Sequence, residues 1–128
     1  MTELKILFLM LLAHIIDDFV LQPVCLSNLK QKGWWEKNAP DKIYQHDYIA
    51  ALIIHGLSWS IMTALPLFFF TKTPDFFYGL MIPLNTLVHA GIDNMKANDK
   101  EIDLTIDQII HVIQIIITWA LAIMILKS

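Results

Sequence analysis

Four apolar stretches, each approaching the length of a membrane span and each carrying ionisable residues at helical spacing, constrain this chain more than any other feature. A spanning helix needs about 20 mostly apolar residues. The stretches run from about Leu4 to Val24, Tyr48 to Phe70, Phe76 to Met95 and Leu104 to Leu126. The second and fourth stand out by hydropathy alone, whereas the first and third are more polar and the third contains Pro83. Only 16% of the residues are charged against 56% hydrophobic, whereas an ordinary soluble domain has about a quarter of its residues charged. The expected fold is therefore an all-α membrane protein, a four-helix transmembrane bundle forming a single domain over residues 1–128, with the lipid bilayer as its partner. The net charge of -3 gives no basic surplus for nucleic acid.

The polar residues inside those stretches are not scattered. His14, Asp18 and Gln22 step along the first helix, Asn85, His89 and Asp93 along the third, and Asp107, His111, Gln114 and Thr118 along the fourth, with Gln108 alongside. His55 and Ser58 come from the second. Steps of three and four place each set on one helical face. By the helical rise, the charged members of all four sets lie roughly one to three turns from the same membrane boundary. Ionisable groups at that depth are costly unless they face the bundle interior and find partners.

Imidazole nitrogen with carboxylate oxygen suits a divalent transition metal such as zinc, manganese or iron, or two ions bridged by aspartate. The candidate ligands are His14, Asp18, His55, His89, Asp93, Asp107 and His111. His55 could instead act as a general base, with Gln22 and Gln108 orienting a water or a phosphate oxygen. The lone Cys25 excludes a cysteine-rich zinc site. A plainer reading makes each His/Asp pair a hydrogen-bonded packing couple; three pairs and a fourth histidine at matched depth favour an ion or proton site. Asp17 falls off the first stripe and is expected at the interface or in a supporting place. His46 and Asp47 are expected solvated at the linker edge. Phe68 to Phe70 and Phe76 to Tyr78 read as an outer aromatic belt, and Gly56, Ser60 and Gly91 as points of close helix approach.

The linker from Cys25 to Asp47 carries Lys30, Lys32, Lys37 and Lys42 around Trp34 and Trp35, which suits the interfacial headgroup zone. Pro23 is expected to end the first helix, with a short interfacial turn over Ser27 to Lys32. Pro74 and Asp75 mark the start of the third helix and Asp103 the start of the fourth. Ile6 to Ile16 has signal-peptide length, but Glu3 and the lack of a cleavage pattern make it a retained helix. The first and third linkers (residues 25–47 and 96–103) hold six lysines against Lys5, Lys72 and Lys127 elsewhere. The positive-inside rule places those linkers in the cytoplasm and both termini outside, in a multi-pass protein of the cell inner membrane.

The run from Leu12 to Gln22, with His14, Asp18, Phe19 and Gln22 in place, resembles the opening motif of a bacterial and phage membrane family, domain-of-unknown-function family 3307. The resemblance continues through Lys30, His55, His89 to Asp93 with Lys96, and Asp107 to His111, nearly the whole chain. Asp17 stands where the motif leads one to expect a small residue. The resemblance implies a membrane location and makes these polar positions the functional ones; it implies no activity. A looser likeness to small membrane-bound metal-dependent hydrolases is analogy only.

Two functions follow from an ion site. One is a membrane-embedded, metal-dependent hydrolase acting on a lipid phosphate or similar amphiphile, with Lys30 and Lys96 attracting the anionic headgroup at the cytoplasmic rim. The other is a metal or proton carrier or sensor, for which four short helices would require a homo-oligomer. A structural, partner-binding membrane module of a phage or a defence system is the non-catalytic alternative.

Overall fold

The structure is a computed structural model that describes residues 2–128. Among the described residues all regular structure is helical. Helix α1 (Glu3–Ile16) runs on into a π-helical turn (Asp17–Leu21), and α2 (Val24–Leu29) and α3 (Lys32–Asn38) are short. A 3-10 turn (Lys42–Tyr44) leads to α4 (Asp47–Phe70), α5 (Asp75–Asn94) runs into a second π-helical turn (Met95–Asp99), and α6 (Leu104–Lys127) follows. The four long elements match the expected stretches within a few residues. The linker is more ordered than the short turn expected at Ser27 to Lys32.

The boundaries follow local chemistry. Pro23 adopts extended backbone ahead of α2 and so ends the first helix. Pro74 does the same ahead of α5, and Asp75 then favours the positive end of the helix dipole. Asp103 caps α6, its carboxylate accepting from the Ile106 amide at 2.9 Å. Helices α4 and α5 meet backbone to backbone at Gly56, where an added Cβ would lie 2.7 Å from the Thr86 carbonyl oxygen. The Thr86 hydroxyl also donates to Ser60 Oγ at 3.2 Å. Gly91, by contrast, has no neighbour within 4 Å of a Cβ and is not a contact point, because it lies on the outer face of α5.

The bundle interior has two ends of different character. Ile6, Met10, Leu67, Phe77, Met81 and Ala122 form the apolar end, with Trp59 and Ile115 between it and the polar end. Phe77 is thus core rather than outer belt, while Phe68, Phe69, Phe70 and Phe76 are exposed as expected. At the other end the buried residues are His, Asp and Lys. Among the described residues, polar and charged ones outnumber apolar ones in the buried class, and the exposed faces of the long helices carry Leu, Ile and Phe. That is the reverse of a water-soluble domain. Lys42–Phe70 and Leu104–Lys127 are long and apolar enough to cross a membrane; the first and third long elements do not meet that test.

Candidate metal centre

Local backbone geometry decides which side chains reach the polar end. Successive residues of a regular α-helix are rotated by about 100°, so adjacent aspartates diverge on its surface. In the π-helical turn the Gln22 amide bonds the Asp17 carbonyl five residues back, at 3.0 Å, and the wider turn lets both Asp17 and Asp18 project inward. Asp17 is 1% exposed, so of the two places expected for it, at the interface or in support of the cluster, it takes the interior one. Its Oδ1 accepts from Ser58 at 2.7 Å, and its Oδ2 lies 3.8 Å from His55 Nδ1.

The remaining groups converge from the other helices. His55 Nε2 is 3.3 Å from Asp18 Oδ1 and 3.6 Å from Asp93 Oδ2. His111 Nε2 is 3.3 Å from Asp93 Oδ1 and 3.4 Å from Asp107 Oδ1. His89 lies between, its Nε2 3.9 Å from Asp18 Oδ1 and 3.8 Å from Asp93 Oδ1. Six of the seven expected ligands therefore gather at one place. His14 is buried beside them, its Nδ1 accepting from the Trp59 indole at 2.8 Å and lying 3.5 Å from Asp18 Oδ2, but it belongs to none of the donor groups compact enough to share an ion. Exposed His46 stays outside, as expected.

Gln108 bridges two carboxylates, its amide donating to Asp107 at 3.0 Å and to Asp18 at 3.2 Å. Gln22 is farther out and accepts from Lys30 at 2.7 Å. Lys30 and Lys96 are not free rim charges. Lys30 is buried, 5% exposed, with its ammonium 2.5 Å from Asp93 Oδ2, and Lys96 donates to Asp107 Oδ2 at 2.6 Å. Long side chains let both reach inward from the helix ends. Asn98 holds the linker against this end, donating to the Lys30 carbonyl and accepting from the Lys32 amide.

Trp59 is the residue that sequence reasoning passed over. It is 1% exposed, stacks on His89 at 4.4 Å between centroids, and His89 in turn stacks on His111 at 4.0 Å. The signal was present in its spacing, four residues after His55, but a search for polar stripes does not register an indole. A second network, on the same α5 and α6 faces, joins Asn85, Gln114 and Thr118 as the stripes predict.

Several buried atoms of the cluster find no hydrogen-bond partner within the protein: Asp17 Oδ2, Asp18 Oδ1, Asp107 Oδ1 and both ring nitrogens of His89. Buried polar atoms are almost always paired, so these atoms have bonding capacity left for an ion, a ligand or water. A helical bundle, apolar outside and with histidine, aspartate and lysine gathered at one buried end, defines the class: small all-helical proteins organised around an ionisable core. The chain belongs to the family described as Protein of unknown function (DUF3307), whose model matches residues 6–128, as the motif resemblance anticipated. No curated protein and no solved structure matches it.

Proposed function

We propose that the protein is a multi-pass integral membrane protein that holds divalent transition metal in its His/Asp cluster, and that the loaded centre hydrolyses a phosphate-bearing amphiphile. The observation that carries the metal reading is a charge imbalance with geometry to match. Asp17, Asp18, Asp93 and Asp107 bring four carboxylates into the buried end, and Lys30 and Lys96 bring two ammoniums. Each lysine takes the outer oxygen, Oδ2, of its aspartate, which leaves Oδ1 turned toward His111. With neutral imidazoles the balance is two negative charges, which one divalent cation offsets. Ligand bonds of about 2.0–2.2 Å put neighbouring donors on a shared ion roughly 3–3.5 Å apart, and the closest His/Asp pairs lie at 3.3 and 3.4 Å.

The outer faces of α1 and α5 support four spans. Leu4, Phe8, Leu12 and Ile15 on α1, and Leu80, Leu84 and Leu87 on α5, are exposed, so the polar residues that lower the hydropathy of these helices point inward. A groove of about 460 Å³ beside the cluster supports an amphiphile as substrate. Its walls include Phe19, Leu104, Ile109 and Ile113, and Gln108 lines it too. An acyl chain would lie along those walls while Gln108, already bonded to Asp18 and Asp107, orients the phosphate oxygen. A bound metal with an open position supplies a water nucleophile near neutral pH. His55, its Nε2 3.3 Å from Asp18 Oδ1, would help to hold the ion, and Gln22 would act indirectly by holding Lys30.

The test is to purify the protein in mild detergent, without chelator or polyhistidine tag, and to measure bound metals by elemental mass spectrometry. Asp107→Ala and His111→Ala run beside it, with helicity checked on each. Near-stoichiometric zinc, manganese or iron that both folded variants lose is the expected result. A folded wild type without metal, even after reconstitution, sinks the proposal. Metal without phosphate release from any lipid phosphate tested would leave the carrier or sensor reading in its place.

A further inference from the structure

The inward-facing donors form four overlapping compact groups, of which two share no residue. One is Asp17, Asp18 and His55; the other is Asp93, Asp107 and His111. In each, the three donor atoms lie within 4.8 Å of one another. Each triad offers two carboxylates and one imidazole, a mixed oxygen and nitrogen set suited to first-row divalent ions. His89, fully buried, stands on the seam, almost equidistant from Asp18 and Asp93.

We infer that the centre holds two divalent ions, one per triad, with His89 between them and Asp17 as a ligand of the first. This rests on the metal reading above and fixes its stoichiometry and one new ligand. The unpartnered oxygens choose between one ion and two. A single central ion on Asp18, His89 and His111, another compact group, would leave Asp17 Oδ2 and Asp107 Oδ1 buried and unpaired. Those two oxygens belong to opposite triads, and an ion in each triad gives both a partner. At His111 the same logic applies, because a single proton on Nε2 can serve only one of the two carboxylate oxygens facing it.

Charge then specifies the ligand that completes the pair. One divalent ion offsets the two surplus negative charges, and a second makes the site positive by two. A phosphate dianion restores the balance, and paired metal ions a few ångströms apart clamp such oxyanions in many phosphoryl-transfer sites. The second ion should therefore bind more tightly when phosphate is present.

The experiment titrates tag-free protein in detergent with manganese in the presence of dilute inorganic phosphate. It reads ions per chain after gel filtration, and spin coupling by electron paramagnetic resonance. Two ions per chain with a coupled spectrum are expected. Asp17→Asn should lose one ion and give the six-line spectrum of an isolated one, and Asp107→Asn should lose the other. The pair of variants keeps the test open if either fails to fold. One ion per chain in wild type overturns the two-ion site, and so do two ions that both folded variants retain. No ion at all overturns the metal reading itself.

Discussion

The indole of Trp59 joins the apolar and polar ends of the bundle, stacking on His89 and donating its N–H to His14. Trp59→Phe keeps most of the stacking surface and removes the donor, leaving His14 Nδ1 buried with one partner fewer. Leaving a buried acceptor unsatisfied costs about 1–3 kcal/mol. Chemical unfolding in detergent should show a loss in that range, and no loss would mean that the bond contributes nothing to stability. The lysines make a sharper case. Lys30→Met leaves Asp93 with a buried charge and no ammonium, and breaking a buried pair from one side costs about 3–5 kcal/mol. Lys30→Met combined with Asp93→Asn removes both charges and should recover much of that loss in chelator, which a double-mutant cycle would measure. Manganese should stabilise the Lys30→Met protein more than it stabilises wild type, because that variant carries one more uncompensated negative charge. Equal stabilisation of the two would detach Lys30 from the charge balance of the centre.

At the level of elements, the legible features were those that obey the 3.6-residue period. Histidines and aspartates three and four apart mark the inner faces of α5 and α6, and proline and aspartate mark the starts of α2, α5 and α6. What the period could not register was the π-helical turn at Asp17, since a widened turn changes the register without altering the residue pattern. The reach of Lys30 and Lys96 was hidden for another reason: a long flexible side chain is placed by its partners and not by its own helix. The glycines show the same dependence on context. Gly56 and Gly91 look alike in sequence, yet helix rotation puts one against the Thr86 carbonyl and the other in open space. Gly56→Ala should therefore destabilise by about 1–3 kcal/mol through overpacking against backbone. Gly91→Ala should instead stabilise by up to about 1 kcal/mol through helix propensity. Unfolding midpoints of the two variants measured side by side check the contrast, and parallel shifts would refute the close approach of α4 and α5.

Across the whole molecule, a polar interior under an apolar exterior suits an apolar solvent, and in the membrane proposed for this chain orientation would be set by lysine. Of the six lysines on the linker side, Lys30 and Lys96 are engaged with Asp93 and Asp107. That leaves Lys32, Lys37, Lys42 and Lys100 at the surface against Lys5, Lys72 and Lys127 on the other side. Insertion reads the chain before such pairs form, so for the proposed multi-pass protein the full bias of the unfolded linkers is the relevant quantity, and it favours the cytoplasm for them. Cys25 offers a built-in reporter, since it is the single cysteine and lies exposed on α2. A membrane-impermeant maleimide should label it in inverted inner-membrane vesicles and not in intact spheroplasts, with detergent-solubilised protein as the control for reactivity. Labelling in spheroplasts alone would reverse the topology, and would turn the polar end with its candidate metal centre toward the outer leaflet. The substrate proposed for that centre would then have to come from the outer leaflet, so this one accessibility measurement also decides which lipid phosphates are worth testing.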